Sequence, residues 1–245
     1  WRPQGILVLR YVTSDNEPLS GLAALTARAL QEFDGFQSVG GRIVLEVPVN
    51  ERFHTDLPGF VNLANVTIPA ARQIKTAGVT PGVLVISEGN PPGDNYGAAF
   101  FAAILPQLRE LKAMGAIWMP HGYSHPPQYS DDPWHSTRPS QILRLLPDYA
   151  KLPYIYGEDG CDGGTDQPAK RPGRGWRDYF QDRAQAYAIW YEAKRAAIAA
   201  DPYCLGSTLF LCGHDPASVW GSFDIDDDVD LRRIFTEHVE GPSRI

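Results

Sequence analysis

The sequence predicts an α/β fold built on parallel strands, and three observations carry that expectation. Short apolar, β-branched runs alternate with stretches of helical spacing six times. The apolar runs are continuous rather than alternating, which is how strands covered on both faces read. A chain of 245 residues with 43% hydrophobic content can bury one full core. Residues 1–245 therefore read as a single domain. Six strand–helix units are two short of the eight that close a parallel barrel.

The elements follow in order. Residues 5–12 (GILVLRYV) form a first buried strand, and 17–33 carry Leu19, Leu22, Leu25 and Leu30 at helical spacing. Residues 42–51 make the second strand, which ends in Asn50-Glu51, and 52–67 read as a long polar loop before a short helix at 68–77. The third strand is 83–87 (VLVIS). Residues 96–114 give one helix, kinked by Pro106. The fourth strand, 116–120 (AIWMP), leads into a loop at 122–139 dense in Pro, Ser, Asp and aromatics, then a short helix at 140–150. The fifth strand is 154–156, followed by a Gly-rich loop to 175. A single long helix is expected over 176–200, its apolar face marked by Trp176, Phe180, Ala184, Tyr187 and Tyr191. Residues 205–212 form the sixth strand and 231–239 a last helix.

Composition narrows the function classes. The net charge is −7 with no basic stripe, which argues against a nucleic-acid surface and suits a neutral substrate. No apolar run approaches the roughly 20 residues that span a bilayer, and no signal-peptide pattern is present. Cys161, Cys204 and Cys212 form neither a disulfide framework nor a close metal cluster. Cys161 and Cys212 fall just past the ends of neighbouring strands, where a disulfide is open to them; Cys204 falls at the opposite end. The compartment stays open, with an extracellular or cell-surface location slightly favoured. Oligomeric state is open as well.

In parallel barrels the chemistry sits at the C-terminal ends of the strands. Here those ends read Arg10-Tyr11, Asn50-Glu51, Ser87-Glu88-Gly89-Asn90, His121-Gly122-Tyr123-Ser124, Gly157-Glu158-Asp159-Gly160 and Gly213-His214. Strands must stop at something polar, but a carboxylate on two strands, with His and Tyr on a strand between them, exceeds that requirement. "VPVNE" resembles the fourth-strand motif of the large clan of retaining glycoside hydrolases with (β/α)8 barrels. "HGYS" is similar to that clan's sixth strand, "YIYGEDG" to its seventh, and "CLGSTLFLCGH…WGSFDI" to its eighth strand and loop. The resemblance runs from about residue 5 to 235, with Glu51 and Glu158 lying 107 residues apart. On that register the chain begins at strand three, so an N-terminally incomplete barrel covering strands three to eight is expected. The two earlier strand–helix units, roughly 50–70 residues, would lie outside this sequence.

The resemblance implies a glycosidase that cleaves O-glycosidic bonds of a poly- or oligosaccharide without a cofactor or metal. Glu51 would be the general acid/base and Glu158 the nucleophile, about 5–5.5 Å apart as retention demands. Asn50 would bond the sugar 2-hydroxyl. His121 and Tyr123 would orient Glu158 or the sugar. Trp220, or Trp118 or Trp134, would stack on a sugar face, and Glu88 and Arg10 would line the cleft. Asp159 is the rival to Glu158, because Gly-Glu-Asp-Gly is also good turn chemistry. Two other readings stand beside this one. The first is a non-catalytic glycan-binding or structural barrel. The second is a metal-dependent polysaccharide deacetylase using His121 and His125, although no early Asp-Asp pair completes its metal site. The five Asp within 224–230 suit a helix N-terminus better than a calcium loop.

Overall fold

The computed structural model describes residues 6–11, 18–34, 42–49, 56–87, 89–124, 137–161, 175–181 and 183–209. Within them, six strands form one sheet: β1 (Ile6–Leu9), β2 (Arg42–Glu46), β3 (Thr80–Ile86), β4 (Ile117–Ser124), β5 (Tyr154–Cys161) and β6 (Cys204–Leu209). Their order in space is their order in sequence, and every pairing is parallel. The helices between them are α1 (Leu22–Glu32), α2 (Leu57–Thr76), α3 (Asp94–Ala103), α4 (Leu105–Ala113), α5 (Arg138–Leu145), α6 (Trp176–Phe180) and α7 (Ala184–Ala199). The expected repeated strand–helix pattern is therefore present.

The sheet is strongly curled. Neighbouring strands lie about 4.8 Å apart, so β1 and β5 of a flat sheet would be roughly 19 Å apart. Yet Arg10, just past β1, makes an ion pair with Glu158 on β5. Only a sheet rolled most of the way into a barrel brings those side chains together. Alternating residues then face two separate cores. Val44, Val85, Ile117, Met119 and Ile155 pack with Ile6 and Val8 inside the curl. Leu45, Val83, Trp118, Tyr154 and Tyr156 pack outward under the helices. A third cluster seats α6 and α7 around Trp176, Tyr187 and Trp190.

Several boundaries differ from expectation for identifiable reasons. The loop expected over 52–67 is helical from Leu57 onward. Asp56 caps α2 by accepting from the Gly59 amide at 2.6 Å. Phe60, Leu63, Ala64, Thr67, Ile68, Ala71 and Ile74 supply its buried face, which Pro58, Gly59 and two Asn residues conceal in the sequence. The expected 96–114 helix divides at Ile104, with Pro106 in the first turn of α4, where a missing amide proton costs nothing. The expected 176–200 helix divides at Gln181, which adopts the left-handed conformation (φ 51°) and ends α6. The second strand stops at Glu46 rather than residue 51. β4 and β5 run on to Ser124 and Cys161, so His121, Tyr123 and Glu158 lie within strands rather than in the loops that follow.

β5 also carries an irregularity that decides the site. Trp118 pairs with Tyr154, and His121 pairs with Glu158, so β5 uses one more residue than β4 over the same span. A second shift occurs against β6 between Tyr156 and Asp159. This is a β-bulge, and it resets which residues face inward.

Candidate active site

Glu158 is buried, at 9% exposure, and three side chains converge on its carboxylate. The Tyr123 hydroxyl donates to Oε2 at 2.6 Å. His121 Nδ1 stands 3.5 Å from the same oxygen. Arg10 Nη1 donates to Oε1. Tyr123 and His121 reach one carboxylate because residues i and i+2 of a strand share a face. Gly122, between them, leaves room for the buried Tyr156 ring: a Cβ there would stand 2.3 Å from Tyr156 Cδ1.

Arg10 does more than meet Glu158. Its Nε lies 3.2 Å from Oε1 of Glu46, which is only 2% exposed. One guanidinium thus bridges two acidic side chains from β2 and β5. Gly157 makes space for this arrangement, since a Cβ there would come within 3.2 Å of Glu46 Oε2 and 3.7 Å of His121 Cδ2. A carboxylate that accepts from a phenol and pairs with a guanidinium is fitted to act in its charged form. Arg10, expected to line the cleft, places its guanidinium between these two carboxylates.

Asp159 points the other way. It lies in a fully buried ion pair with Lys194 of α7. Lys194 Nζ also donates to the carbonyls of Gly122 and Gly160. Asp159 Oδ2 accepts from the Tyr191 hydroxyl at 3.2 Å, and Tyr191 is also 3.0 Å from Ser207 Oγ. Burial pushes the Lys194 ammonium below its usual range, with Asp159 opposing the shift. The same burial pushes the Tyr191 phenol up, reinforced by the adjacent Asp159 charge. Asp159 is thus part of the sheet–helix joint and does not face the interior. The side chain beside Glu158 that rivalled it in the sequence is removed from the contest by the bulge.

Other expected residues fall out as follows. Trp118 is 3% exposed and packs outward between Phe101 and Tyr154, with ring centroids 5.2 and 6.2 Å away, so it cannot stack on a sugar. Asn50, Glu51, Glu88, His125, Trp134, Cys212, Trp220, the acidic run 224–230 and the expected helix 231–239 lie outside the described residues. Cys161 is buried at the end of β5, against the cluster that seats α6 and α7. Among the described residues, no group of three His, Cys, Asp or Glu side chains is arranged to hold a metal, and no helix is long and apolar enough to cross a membrane.

No protein-family model matches the chain. No curated protein matches it either. Among solved structures it is similar to XacCel5A, with 14% identity, 94% of this chain and 71% of that one covered, and a TM-score of 0.47. It is similar to XacCel5A in complex with cellopentaose, at 16% identity, 90% and 66% coverage and a TM-score of 0.45. A variant endo-β-1,4-glucanase from Xanthomonas axonopodis pv. citri aligns at 17% identity, with 94% and 72% coverage and a TM-score of 0.46. These are likenesses of fold.

Two participants were not singled out from the sequence. Glu46 sits inside the apolar run RIVLEVPV, and a charged residue flanked by buried positions on one strand is the signal that marks it. Lys194 continues the stripe of Tyr187 and Tyr191 at a step of three, so a lysine on the apolar face of a helix is the corresponding signal there.

Proposed function

We propose that the chain is a retaining glycoside hydrolase acting on O-glycosidic bonds of a poly- or oligosaccharide, with Glu158 as nucleophile and Glu51 as general acid/base. The observation that carries the proposal is the Glu158 carboxylate itself. It lies at the C-terminal half of an inner strand of a parallel barrel, gripped by Tyr123, His121 and Arg10.

The chemistry runs in two displacements. Glu158 attacks C1 as Glu51 passes a proton to the departing glycosidic oxygen, leaving a glycosyl ester on Glu158. Glu51, now ionised, takes a proton from water, whose oxygen attacks C1 and releases Glu158 as a carboxylate. Arg10 and Tyr123 fix the carboxylate's orientation before attack and receive it again when the ester breaks, so little reorganisation accompanies either step. Asn50 is assigned to the 2-hydroxyl, Trp220 to a sugar face and Glu88 to the cleft wall. His121 Nδ1 lies 3.5 Å from Glu158 Oε2, where it helps to orient the nucleophile.

Replacing Glu158 with Ala tests the proposal. Hydrolysis of an activated aryl glycoside should be abolished, and added azide should restore part of the turnover by occupying the vacated space and attacking C1. An undiminished rate in Glu158→Ala rules the proposal out.

A further inference from the structure

Glu46 is an acidic side chain placed where a barrel interior gains nothing from packing it. It stands on β2 with 2% exposure, above the inner layer of Val44, Met119 and Ile155. An uncompensated carboxylate there is costly, and Arg10 compensates it, with its Nε 3.2 Å from Glu46 Oε1. The same guanidinium uses a different nitrogen for Glu158 Oε1. Arginine is planar, so fixing Nε on one side fixes the direction of Nη1 on the other. Gly157 completes the arrangement by keeping the space beside Glu46 Oε2 clear.

We infer that Glu46 is a positioning residue for Glu158, acting through Arg10. It aims the guanidinium and, by sharing its positive charge, keeps Arg10 from neutralising Glu158 too fully for nucleophilic attack. The inference deepens the reading of Glu158 as nucleophile and rests on it. Among the described residues, the charged and titratable groups facing Glu158 are Arg10 past β1, Glu46 on β2, and His121 and Tyr123 on β4.

The test compares the wild-type chain with Glu46→Gln and Glu46→Ala. Gln can still accept from Arg10 Nε but carries no charge, so Arg10 acts wholly on Glu158. The carboxyl carbon of Glu158, assigned by its loss in Glu158→Gln, should then titrate about one pH unit lower by carbon-13 NMR. The acid limb of kcat/KM for an aryl glycoside should move down by the same amount, with kcat falling about three- to tenfold. Ala removes the anchor, and kcat should fall about a hundredfold while KM stays within about twofold. If Glu46→Gln does not fold, Glu46→Asp replaces it: the charge is kept and the reach shortened, so kcat should drop with the Glu158 midpoint in place. An unmoved midpoint in Glu46→Gln, or wild-type kcat in Glu46→Ala or Glu46→Asp, overturns the inference. The titration needs no turnover. A shifted midpoint in a chain that hydrolyses no glycoside would therefore sink the nucleophile reading while leaving the coupling standing. An unmoved midpoint in an active chain sinks the coupling alone.

Discussion

Lys194→Met should be among the most destabilising single changes in the α7 layer. Lys194 and Asp159 are both fully buried and paired, and Lys194 also donates to the carbonyls of Gly122 and Gly160. Methionine fills similar volume without charge, so the loss is electrostatic rather than a cavity. What remains is a buried Asp159 with the Gly160 amide at 2.9 Å and the Tyr191 hydroxyl at 3.2 Å, and no cation. Removing one partner of a buried pair costs about 3–5 kcal/mol, because the other charge is left uncompensated. Urea denaturation at pH 7 reads the loss, with circular dichroism as the signal. The double change Lys194→Met with Asp159→Asn should recover stability to within about 1 kcal/mol of wild type, because it leaves no unpaired charge. A single-variant loss below about 1 kcal/mol at pH 7, or no recovery in the double variant, would refute the reasoning.

Three further expectations concern β4 and β5, the strands that meet at Glu158. Tyr123→Phe deletes a 2.6 Å hydrogen bond to a carboxylate, worth about 1.5–3 kcal/mol, so kcat on an aryl glycoside should fall about 10- to 150-fold with the fold intact; a kcat within about twofold of wild type would count against the assignment. Gly122→Ala drives a Cβ to 2.3 Å from the fully buried Tyr156 ring, and overpacking of about 1–3 kcal/mol should lower Tm by roughly 3–10 °C. Gly157→Ala meets only side-chain ends, at 3.2 Å or more, and should lower Tm by less than Gly122→Ala; the reverse order in a thermal melt would contradict the packing described.

Much of the fold was legible because a parallel barrel strand is buried on both faces and so leaves a continuous apolar run. Every one of the six runs is a strand, including the short β1. Helix limits were harder to read for local reasons. The first half of α2 contains Pro58, Gly59 and two Asn residues, each a weak helix former, and is held by its Asp56 cap and by burial that only the tertiary structure supplies. The break at Gln181 has no Gly or Pro to announce it. Glu46 was hidden for the opposite reason: its neighbours are so apolar that the run reads as uniform.

The hardest feature to read was which acid of "GEDG" faces inward. Ile155 faces the inner core and Tyr156 the outer, so strict alternation would put Gly157 and Asp159 inside and Glu158 outside. The resemblance to a glycosidase strand pointed to Glu158 against that rule. The extra residue in β5 reconciles the two, turning Glu158 toward Tyr123 and Arg10 and Asp159 toward Lys194. The bulge is held from outside, since Lys194 grips both Asp159 and the Gly160 carbonyl beyond it. Lys194 also binds the Gly122 carbonyl, between His121 and Tyr123. The buried pair on the outer face and the acidic cluster on the inner face are therefore two sides of one local distortion. Weakening the outer pair should loosen the inner carboxylate before the barrel itself fails.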